Sequence, residues 1–200
     1  MKVKQVFTTY NTQEGKPLNN YRYCPSCGAE CVVKEEGGRE RSACCQCGFI
    51  HYKNPSPAVS ILIIENDKIL LGRRADASLK GGMWCLPCGF IEFDEDFLTA
   101  ARREVEEETG LIADILSIIS VMSNYLTPDL HTLVIVLLAQ VVGGELCPGD
   151  DLDAVAWIAL PGPLPEMAFE ADEDIIARYF QARFKGAPVD SEFAIAEQKR

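Results

Sequence analysis

The sequence lacks any run of about 18 apolar residues, the length that a helix needs to cross a bilayer. Its N-terminus, MKVKQVFTTYNTQEG, has no apolar segment of the kind found in signal peptides. Both absences argue against membrane and secreted proteins, and we expect a cytoplasmic protein. The chain also has no internal repeats and no low-complexity tracts. Its 48% hydrophobic and 24% charged residues predict an ordinary globular fold.

Positive charge is scarce. The 19 Lys and Arg are outnumbered by 30 Asp and Glu, which gives a net charge of −11 at pH 7. Such a surface is poorly suited to neutralising many phosphates, so we do not expect nucleic acid as the main partner. An anionic small molecule would need a metal ion to offset the acidic residues. The sequence does not indicate the oligomeric state, and a homodimer is one of the states it allows.

Cysteine, by contrast, is abundant. Nine cysteines without a secretion signal indicate metal ligands or reduced thiols rather than disulfides. Four of them have the spacing C-x2-C-x16-C-x2-C, and each pair is followed by glycine. Two such turns on a short hairpin aim four sulfurs at one point, whereas four free buried cysteines are the competing interpretation. We predict a structural Zn²⁺ in a zinc ribbon at 21–52, bound by Cys24, Cys27, Cys44 and Cys47.

A proline-containing segment follows the predicted ribbon. HYKNPSP has two prolines within three residues, which indicates a linker at 53–57. We expect a larger domain at 58–184, preceded by an N-terminal extension at 1–20 and followed by a tail at 185–200.

Strands and helices are mixed in the larger domain. Residues 58–64 form a nearly continuous apolar strand, Asn66-Asp67 a turn and 68–74 the returning strand. Mixed strands and helices predict a sheet covered by helices, in the α+β class. Further strands are predicted at 84–88, 112–122, 131–142 and 154–160, and helices at 95–109 and 172–184.

The stretch WCLPC, which contains Cys85 and Cys88, resembles a thioredoxin redox site. A reactive CxxC thiol lies at a helix N-terminus, where the helix dipole lowers its pKa. Here Cys88 leads into GFIEFDED, which is apolar and acidic and predicts no helix before Asp94. We therefore expect packing residues rather than redox cysteines.

The residues after Cys88 follow a long pattern, G-x5-E-x7-R-E-U-x-E-E-x-G-U with U aliphatic, from Gly89 to Leu111. This pattern is similar to the signature of the Nudix hydrolases, and every fixed position is filled. Leu86-Pro87 before it and Trp157-Ile158 late in the chain extend the resemblance over about 56–184. It implies an α/β/α sandwich with a mixed sheet, and metal-dependent hydrolysis of a diphosphate.

The helix of this pattern has two chemically different faces. Glu104, Glu107 and Glu108 are spaced to share one face, which like charges and the helix dipole both destabilise. A hard divalent cation would reverse that effect by binding the carboxylate oxygens. A solvated charged face is the alternative for an isolated run of glutamates. The other face is apolar, with Phe97, Ala101 and Val105.

The resemblance also implies roles for individual residues. Glu104, Glu107 and Glu108 would hold Mg²⁺ or Mn²⁺, and Glu107 and Glu108 are the candidates for the general base. Arg103 cannot lose its proton and would orient a carboxylate such as Glu95.

Several residues outside the signature are candidates for the same site. Asp150 or Asp151, in the loop after the 131–142 strand, would add a metal ligand, although capping of a turn explains them equally well. Arg73 and Arg74 would bind a phosphate of the substrate, or, in the simpler interpretation, face solvent. Tyr125 would stack on a base or belong to the core, and the same holds for Trp84 and Phe169.

A ribbon before a Nudix domain resembles two groups, the NADH pyrophosphatases and a group with plant members that act on FAD and ADP-ribose. The first group has a Ser-Gln-Pro-Trp-type stretch after the signature, where this chain has MSNYLTP at 122–128. LPEMAF at 164–169 is closer to the second group. We therefore expect a small-molecule nucleotide diphosphate, FAD or ADP-ribose, cleaved to AMP and a monophosphate, with NADH as the alternative.

Two other classes of function stay open at this point. A nucleotide sensor would not need the complete carboxylate set. An RNA-end-processing enzyme would need a basic surface, but Lys34, Arg39 and Arg41 of the ribbon are offset in the sequence by Glu30, Glu35, Glu36 and Glu40.

Overall fold

The protein is described by a computed structural model, which covers residues 7–10, 21–127, 129–183, 185–190 and 193, without the side chains of 7–10. Among the described residues, no helix is long and apolar enough to cross a membrane. The elements are β1 (Phe7–Tyr10), β2 (Cys31–Glu36), β3 (Arg39–Cys44), β4 (Ser56–Glu65), β5 (Lys68–Arg74), β6 (Trp84–Cys85), β7 (Cys88–Phe90), α1 (Phe97–Thr109), β8 (Leu111–Tyr125), β9 (His131–Gly144), β10 (Leu152–Ala159), α2 (Glu170–Ala182) and β11 (Ala187–Pro188).

Nine of the described strands form one mixed sheet. Its main order is β1-β8-β9-β4-β5-β10, and β11, β6 and β7 pair with β8, β5 and β4. The β4–β9 and β1–β8 pairs are parallel, and the remaining pairs are antiparallel. The predicted α+β class and the mixed sheet are therefore confirmed.

The central strand β4 explains the sandwich. Its side chains alternate between two cores, because successive residues of a strand point to opposite faces. Val59 and Ile61 pack in a cluster with Ala101 of α1, whereas Leu62 packs in a cluster with Ile175 of α2. Burial on both faces accounts for the nearly continuous apolar run in this strand.

The hairpin of β4 and β5 has the predicted turn. Asn66 and Asp67 have φ of 48° and 57°, in the left-handed region that two-residue hairpin turns require and that Asn and Asp tolerate. Ile64 pairs with Ile69 across it. The strand predicted at 84–88 is instead two short strands, because β6 pairs with β5 and β7 with β4, with Pro87 between them.

Both helices differ from their predicted ranges at the ends. The helix predicted at 95–109 begins at Phe97, because Asp96 is its N-cap and accepts hydrogen bonds from Leu98 N (2.8 Å) and Thr99 N (3.0 Å). The helix predicted at 172–184 begins at Glu170 and ends at Ala182.

The cysteine-rich segment forms the predicted hairpin. Strands β2 and β3 pair with Cys31 opposite Cys44, and Gly37 and Gly38 turn between them with φ of 60° and 74°. Near the N-terminus, Phe7–Tyr10 pairs with β8 in a segment predicted as an extension, and near the C-terminus, Ala187–Pro188 pairs with β8 in the predicted tail. β4 begins at Ser56, inside the predicted linker. The proposed domain boundaries stay predictions.

Candidate functional site

Two buried glutamates of α1 line a cavity of about 430 Å³. Glu104 and Glu108 are one turn apart and only 6% and 1% exposed. Charged side chains are rarely buried to this extent unless they are paired or bind a metal. The signature helix therefore places two of its three carboxylates inside the protein.

The environment of these carboxylates raises both pKa values. Burial raises the pKa of Glu108 well above its usual value, and the neighbouring Cys85, Asp151 and Glu104 raise it further. One backbone donor opposes this effect, since Cys88 N donates to Glu108 Oε2 at 2.9 Å. Burial likewise raises the pKa of Glu104, against the influence of Arg103. Two buried acids that resist ionisation suit a divalent cation, whose charge stabilises the carboxylate form.

Gly89 makes room for Glu104. A Cβ at position 89 would collide with the Glu104 carboxylate, so another side chain here would displace it. This contact gives a physical reason for glycine as the first residue of the signature.

Arg103 holds the acidic groups around it in place. Its guanidinium donates to both oxygens of Glu95 (3.1 and 2.6 Å), to Glu104 Oε1 (2.8 Å), to Glu107 Oε2 (2.9 Å) and to the carbonyl of Phe90 (3.0 Å). The expected contact with Glu95 is therefore confirmed. The planar fork of arginine donors permits this shared arrangement.

Glu107 lies apart from the other two glutamates of the signature. Its side chain is 49% exposed, and it does not line the cavity. Among the described residues, only the cysteine cluster brings three or more His, Cys, Asp or Glu ligand atoms within 4.8 Å of one another. Joint metal binding by Glu104, Glu107 and Glu108 stays a proposal, and it would require the Glu107 carboxylate to move closer to the other two.

The segment after β9 caps the C-terminus of α1. Glu145 N, Cys147 N and Gly149 N donate to the carbonyls of Gly110, Thr109 and Glu108, at 3.2, 2.9 and 3.1 Å. Asp150 and Asp151 follow directly and line the cavity. Asp151 accepts from Arg74 Nη2 at 2.6 Å, whereas Asp150 has a left-handed φ of 48°. The cap thus positions both candidate acids beside the buried glutamates.

Arg73 and Arg74 have different surroundings, because neighbouring residues of a strand point to opposite faces. Arg74 is 8% exposed, lines the cavity and also donates to the carbonyl of Leu79 at 2.6 Å. Arg73 is 44% exposed at its side chain, pairs with Asp153 at 2.7 Å and does not line the cavity. The structure therefore brings only Arg74 to the carboxylates.

The rest of the cavity wall is mostly apolar and comes from the sheet and from α2. Tyr125 does not belong to it. The Tyr125 ring stacks on His131 with ring centroids 4.0 Å apart, and it lines a second cavity. Phe169, named among the aromatic candidates, lines both cavities. The first cavity is lined on this side by Ala58, Met122, Leu126, Leu130, Val134, Phe169 and Ala171.

Sequence reasoning missed Asp172, a cavity residue that is 3% exposed. Its Oδ2 accepts from Leu86 N at 3.0 Å. Burial raises the pKa of this carboxyl to about 7, against the opposing effects of Leu86 N and Arg74. The sequence contained the signal, because Asp172 falls at helical spacing with Ile175 and Ile176 on the apolar face.

The cysteines of WCLPC are packing residues, as expected. Cys85 is fully buried, and Cys88 is half-buried. A hydrogen bond with Cys85 and burial together raise the pKa of Cys88 well above its usual value. A thiol that resists ionisation is a poor redox nucleophile.

The four predicted zinc ligands lie together in the ribbon. Cys24 Sγ is 3.6 Å from Cys47 Sγ, and Cys27 Sγ is 3.5 Å from Cys44 Sγ. Four sulfurs about 2.3 Å from one zinc would be separated by about 3.8 Å, so the set fits Zn²⁺. Backbone N–H groups of Cys47 and Gln46 point at Cys44 Sγ, and they lower its pKa to about 6.

Comparison with known proteins gives a consistent result. The sequence model of the NUDIX domain family matches residues 54–179. An ADP-ribose pyrophosphatase of Methanocaldococcus jannaschii is 39% identical over 134 residues, which is 65% of this chain and 76% of that protein. The NAD-capped RNA hydrolase NudC of Stutzerimonas stutzeri is 29% identical over 90% of this chain, but the match spans only 63% of the relative.

Solved structures show the same fold. The crystal structure of a NUDIX hydrolase from Nitrosomonas europaea has a TM-score of 0.73 and 29% identity, over 84% of this chain and 96% of that one. An ADP-ribose pyrophosphatase from Streptococcus suis has a TM-score of 0.54 at 23% identity, over 67% of this chain and 96% of that one.

Proposed function

The chain belongs to the Nudix family of hydrolases, and we propose that it cleaves a nucleoside diphosphate linked to a second moiety, with FAD or ADP-ribose as substrate. The products are AMP and the partner monophosphate. The support for ADP-ribose is the named activity of the 39% identical relative. The support for FAD is the stretch LPEMAF at 164–169, which resembles the group with plant members that act on FAD and ADP-ribose. NADH is the next candidate.

The cavity carries this proposal. Its lining combines buried carboxylates with apolar side chains, which matches a substrate with a charged diphosphate and a planar base. A nucleoside triphosphate would leave the recognition of a second moiety unused, so binding of that moiety could not contribute to the transition state.

Each acidic residue has a proposed part in the reaction. Glu104 and Glu108 would hold Mg²⁺ or Mn²⁺, with Glu107 and Asp150 as further ligands. A bound cation would offset the diphosphate charge and acidify a water. In the hydrolysis, a water oxygen forms a bond to one phosphorus while the bond from that phosphorus to the bridging oxygen breaks, so that the other phosphate leaves with the bridging oxygen. Glu107 or Glu108 accepts the proton, while Arg103 acts as a positioning residue.

The substrate proposal is tested with a panel that contains FAD, ADP-ribose, NADH and nucleoside triphosphates, with Mg²⁺, in ¹⁸O-labelled water. We expect AMP plus a monophosphate, with a single label on one of the two. Glu108→Gln serves as the inactive control. Faster turnover of a triphosphate than of every dinucleotide, or release of pyrophosphate, would contradict the substrate assignment.

We also propose that Cys24, Cys27, Cys44 and Cys47 hold one structural Zn²⁺ in the ribbon. All four positions of a tetrahedral site are then filled by protein, so no position is open for catalysis.

A capped RNA is the second candidate substrate. The match to NudC extends over 90% of this chain. In addition, the charged residues of the ribbon are distributed over the two faces of its hairpin in a way that is not evident from their order in the sequence. The pairs Lys34–Arg41 and Glu36–Arg39 lie on one face of the hairpin, which therefore has three basic residues and one acidic residue, with Lys34 ion-paired to Glu36 at 3.5 Å. The pair Glu35–Glu40 lies on the other face.

Filter binding of single-stranded RNA over a salt series tests this candidate. Binding through phosphates should weaken steeply as salt rises, and Lys34→Glu with Arg41→Glu should abolish it. Glu35→Gln with Glu40→Gln is the matched control on the opposite face. Absence of RNA binding at low salt would exclude this candidate while leaving the small-molecule proposal intact.

A further inference from the structure

Asp172 has one carboxylate oxygen that the protein leaves without a hydrogen bond. Among the residues that the structure describes, Leu86 supplies its hydrogen bond, from the backbone N–H to Oδ2 at 3.0 Å, and Oδ1 receives none. The residue is 3% exposed and lines the cavity. Because a buried carboxylate without its full set of donors is costly, a donor from a ligand would stabilise it.

The nearest cation does not fill this role. Arg74 is close enough to lower the pKa of Asp172, but no ion pair joins them among the described residues. The Arg74 guanidinium instead donates to Asp151 Oδ2 and to the carbonyl of Leu79, both at 2.6 Å. Asp172 therefore faces the cavity without an ion-pair partner among the described residues, and burial raises its pKa to about 7 against the weaker effects of Leu86 N and Arg74.

The surroundings of Asp172 indicate what kind of donor would reach it. Ala171 packs in one buried cluster with Met122 and Val134, and the Phe169 ring precedes α2 in the same wall. A polar group carried on a flat apolar ring matches this wall better than the hydroxyls of a sugar do. Since Oδ2 already accepts from Leu86 N, one donor to Oδ1 would give each carboxylate oxygen a partner.

We propose that Asp172 is a specificity-determining residue, whose Oδ1 accepts a hydrogen bond from the 6-amino group of a bound adenine. The inference rests on the proposed function, because it assigns the base in the same cavity. The amino group is common to ADP-ribose, FAD and NADH, so the assignment holds whichever of them is cleaved.

Binding of two monophosphates to the full chain tests this inference by calorimetry. AMP carries the amino group, and purine riboside 5′-monophosphate has hydrogen in its place. We expect the wild type to bind AMP about tenfold to a hundredfold more tightly, as for a hydrogen bond to a buried charge. Equal binding of the two compounds, or no binding of AMP, would overturn the inference whatever a variant does.

Asp172→Asn is the decisive variant. Its amide oxygen can still accept from Leu86 N, while the carboxylate charge is removed, and the preference for AMP should then nearly vanish. Asp174→Asn makes the same change two residues further along α2, where Asp174 pairs with Arg178 at 3.5 Å, and should keep the wild-type preference. An unchanged preference in a folded Asp172→Asn protein would also overturn the inference.

The outcomes separate this inference from the proposed function, because binding of monophosphates needs no turnover. Hydrolysis of ADP-ribose without dependence on the amino group defeats the inference alone. Amino-dependent binding without hydrolysis of any dinucleotide defeats the proposed function alone.

Discussion

The ribbon and the acidic cavity are the two proposed cation sites, and they are assembled in different ways. The four ribbon sulfurs come from two short turns, face one point and leave no ligand outside. The cavity carboxylates come from several segments, among them α1, the loop after β9 and α2, and one glutamate of the signature stays outside the cavity, hydrogen-bonded to Arg103. The first arrangement is closed and the second is incomplete.

The difference indicates what each proposed cation would do. A site whose ligands are all supplied by the protein stabilises the fold, whereas a site with open positions can accept substrate and water. Burial of Glu104 and Glu108 without a nearby full complement of ligands fits the second case. Disruption of the ribbon site should therefore affect the stability of the fold, whereas disruption of the cavity site should affect turnover.

The largest effect should come from the cavity. Glu108→Gln removes a charge that the cation needs while it keeps the side-chain shape, and we expect turnover to fall by several orders of magnitude with the fold intact. Glu107→Gln should fall by a similar amount if Glu107 joins the site during the reaction. Steady-state rates and circular dichroism measure both effects.

Glu106→Gln is the matched control, since Glu106 is exposed on the same helix and lies outside the fixed positions of the signature. Near-normal rates in both the Glu107 and the Glu108 variants would remove the proposed mechanism.

A smaller effect on turnover should come from the ribbon. Metal analysis of the purified protein should find about one zinc per chain. Cys24→Ser and Cys47→Ser should release it and increase hydrogen exchange across 21–52, with much less loss of turnover than the glutamate variants. Cys45→Ser, next to the cluster but outside it, should keep its zinc. Zinc retained in both ligand variants would count against the site.

The smallest effect is a difference in pH dependence between the two regions. Asp172 has a folded pKa of about 7 against an ordinary 3.8, so the folded state keeps a proton that the unfolded state releases between these values. Its contribution to stability is therefore complete below about pH 4 and is lost as pH rises towards 7. The ribbon should behave oppositely, because acid protonates the thiolates and releases zinc.

Chemical denaturation at several pH values, followed for the wild type and for Asp172→Asn, measures the first of these trends. Arg74 and Glu173 also act on this carboxyl and are unchanged in the variant. The stability of the variant relative to wild type should rise between pH 4 and 7. A constant difference across that range would show that Asp172 does not titrate as described.

Much of the fold and part of the site could be predicted from the sequence. The Asn66-Asp67 turn, the cysteine spacing and the signature helix depend on local chemistry, and the structure has all three. The different surroundings of Arg73 and Arg74 are also predictable in principle, because strand alternation allows only one of two adjacent residues to face the cavity.

Other features depend on contacts between distant segments. The parallel pairing of Phe7–Tyr10 with β8 joins residues more than a hundred positions apart, and no local pattern specifies it. The position of Glu107 depends on its hydrogen bond with Arg103, and the burial of Asp172 depends on the hydrogen bond that it accepts from Leu86 N. Periodicity shows which face a residue occupies, but not which partner it meets there.

The segment from Glu145 to Gly149, which caps the C-terminus of α1, is a loop whose length is fixed by its contacts with that helix. Surface loops usually tolerate insertions, since few of their backbone groups are committed. Here three backbone donors meet the last carbonyls of α1 in register, and a Cβ at Gly149 would collide with the carbonyl of Glu107. One added residue would uncap the helix and also carry Asp150 away from the glutamates, so chain length at this point is as constrained as the identity of the acids.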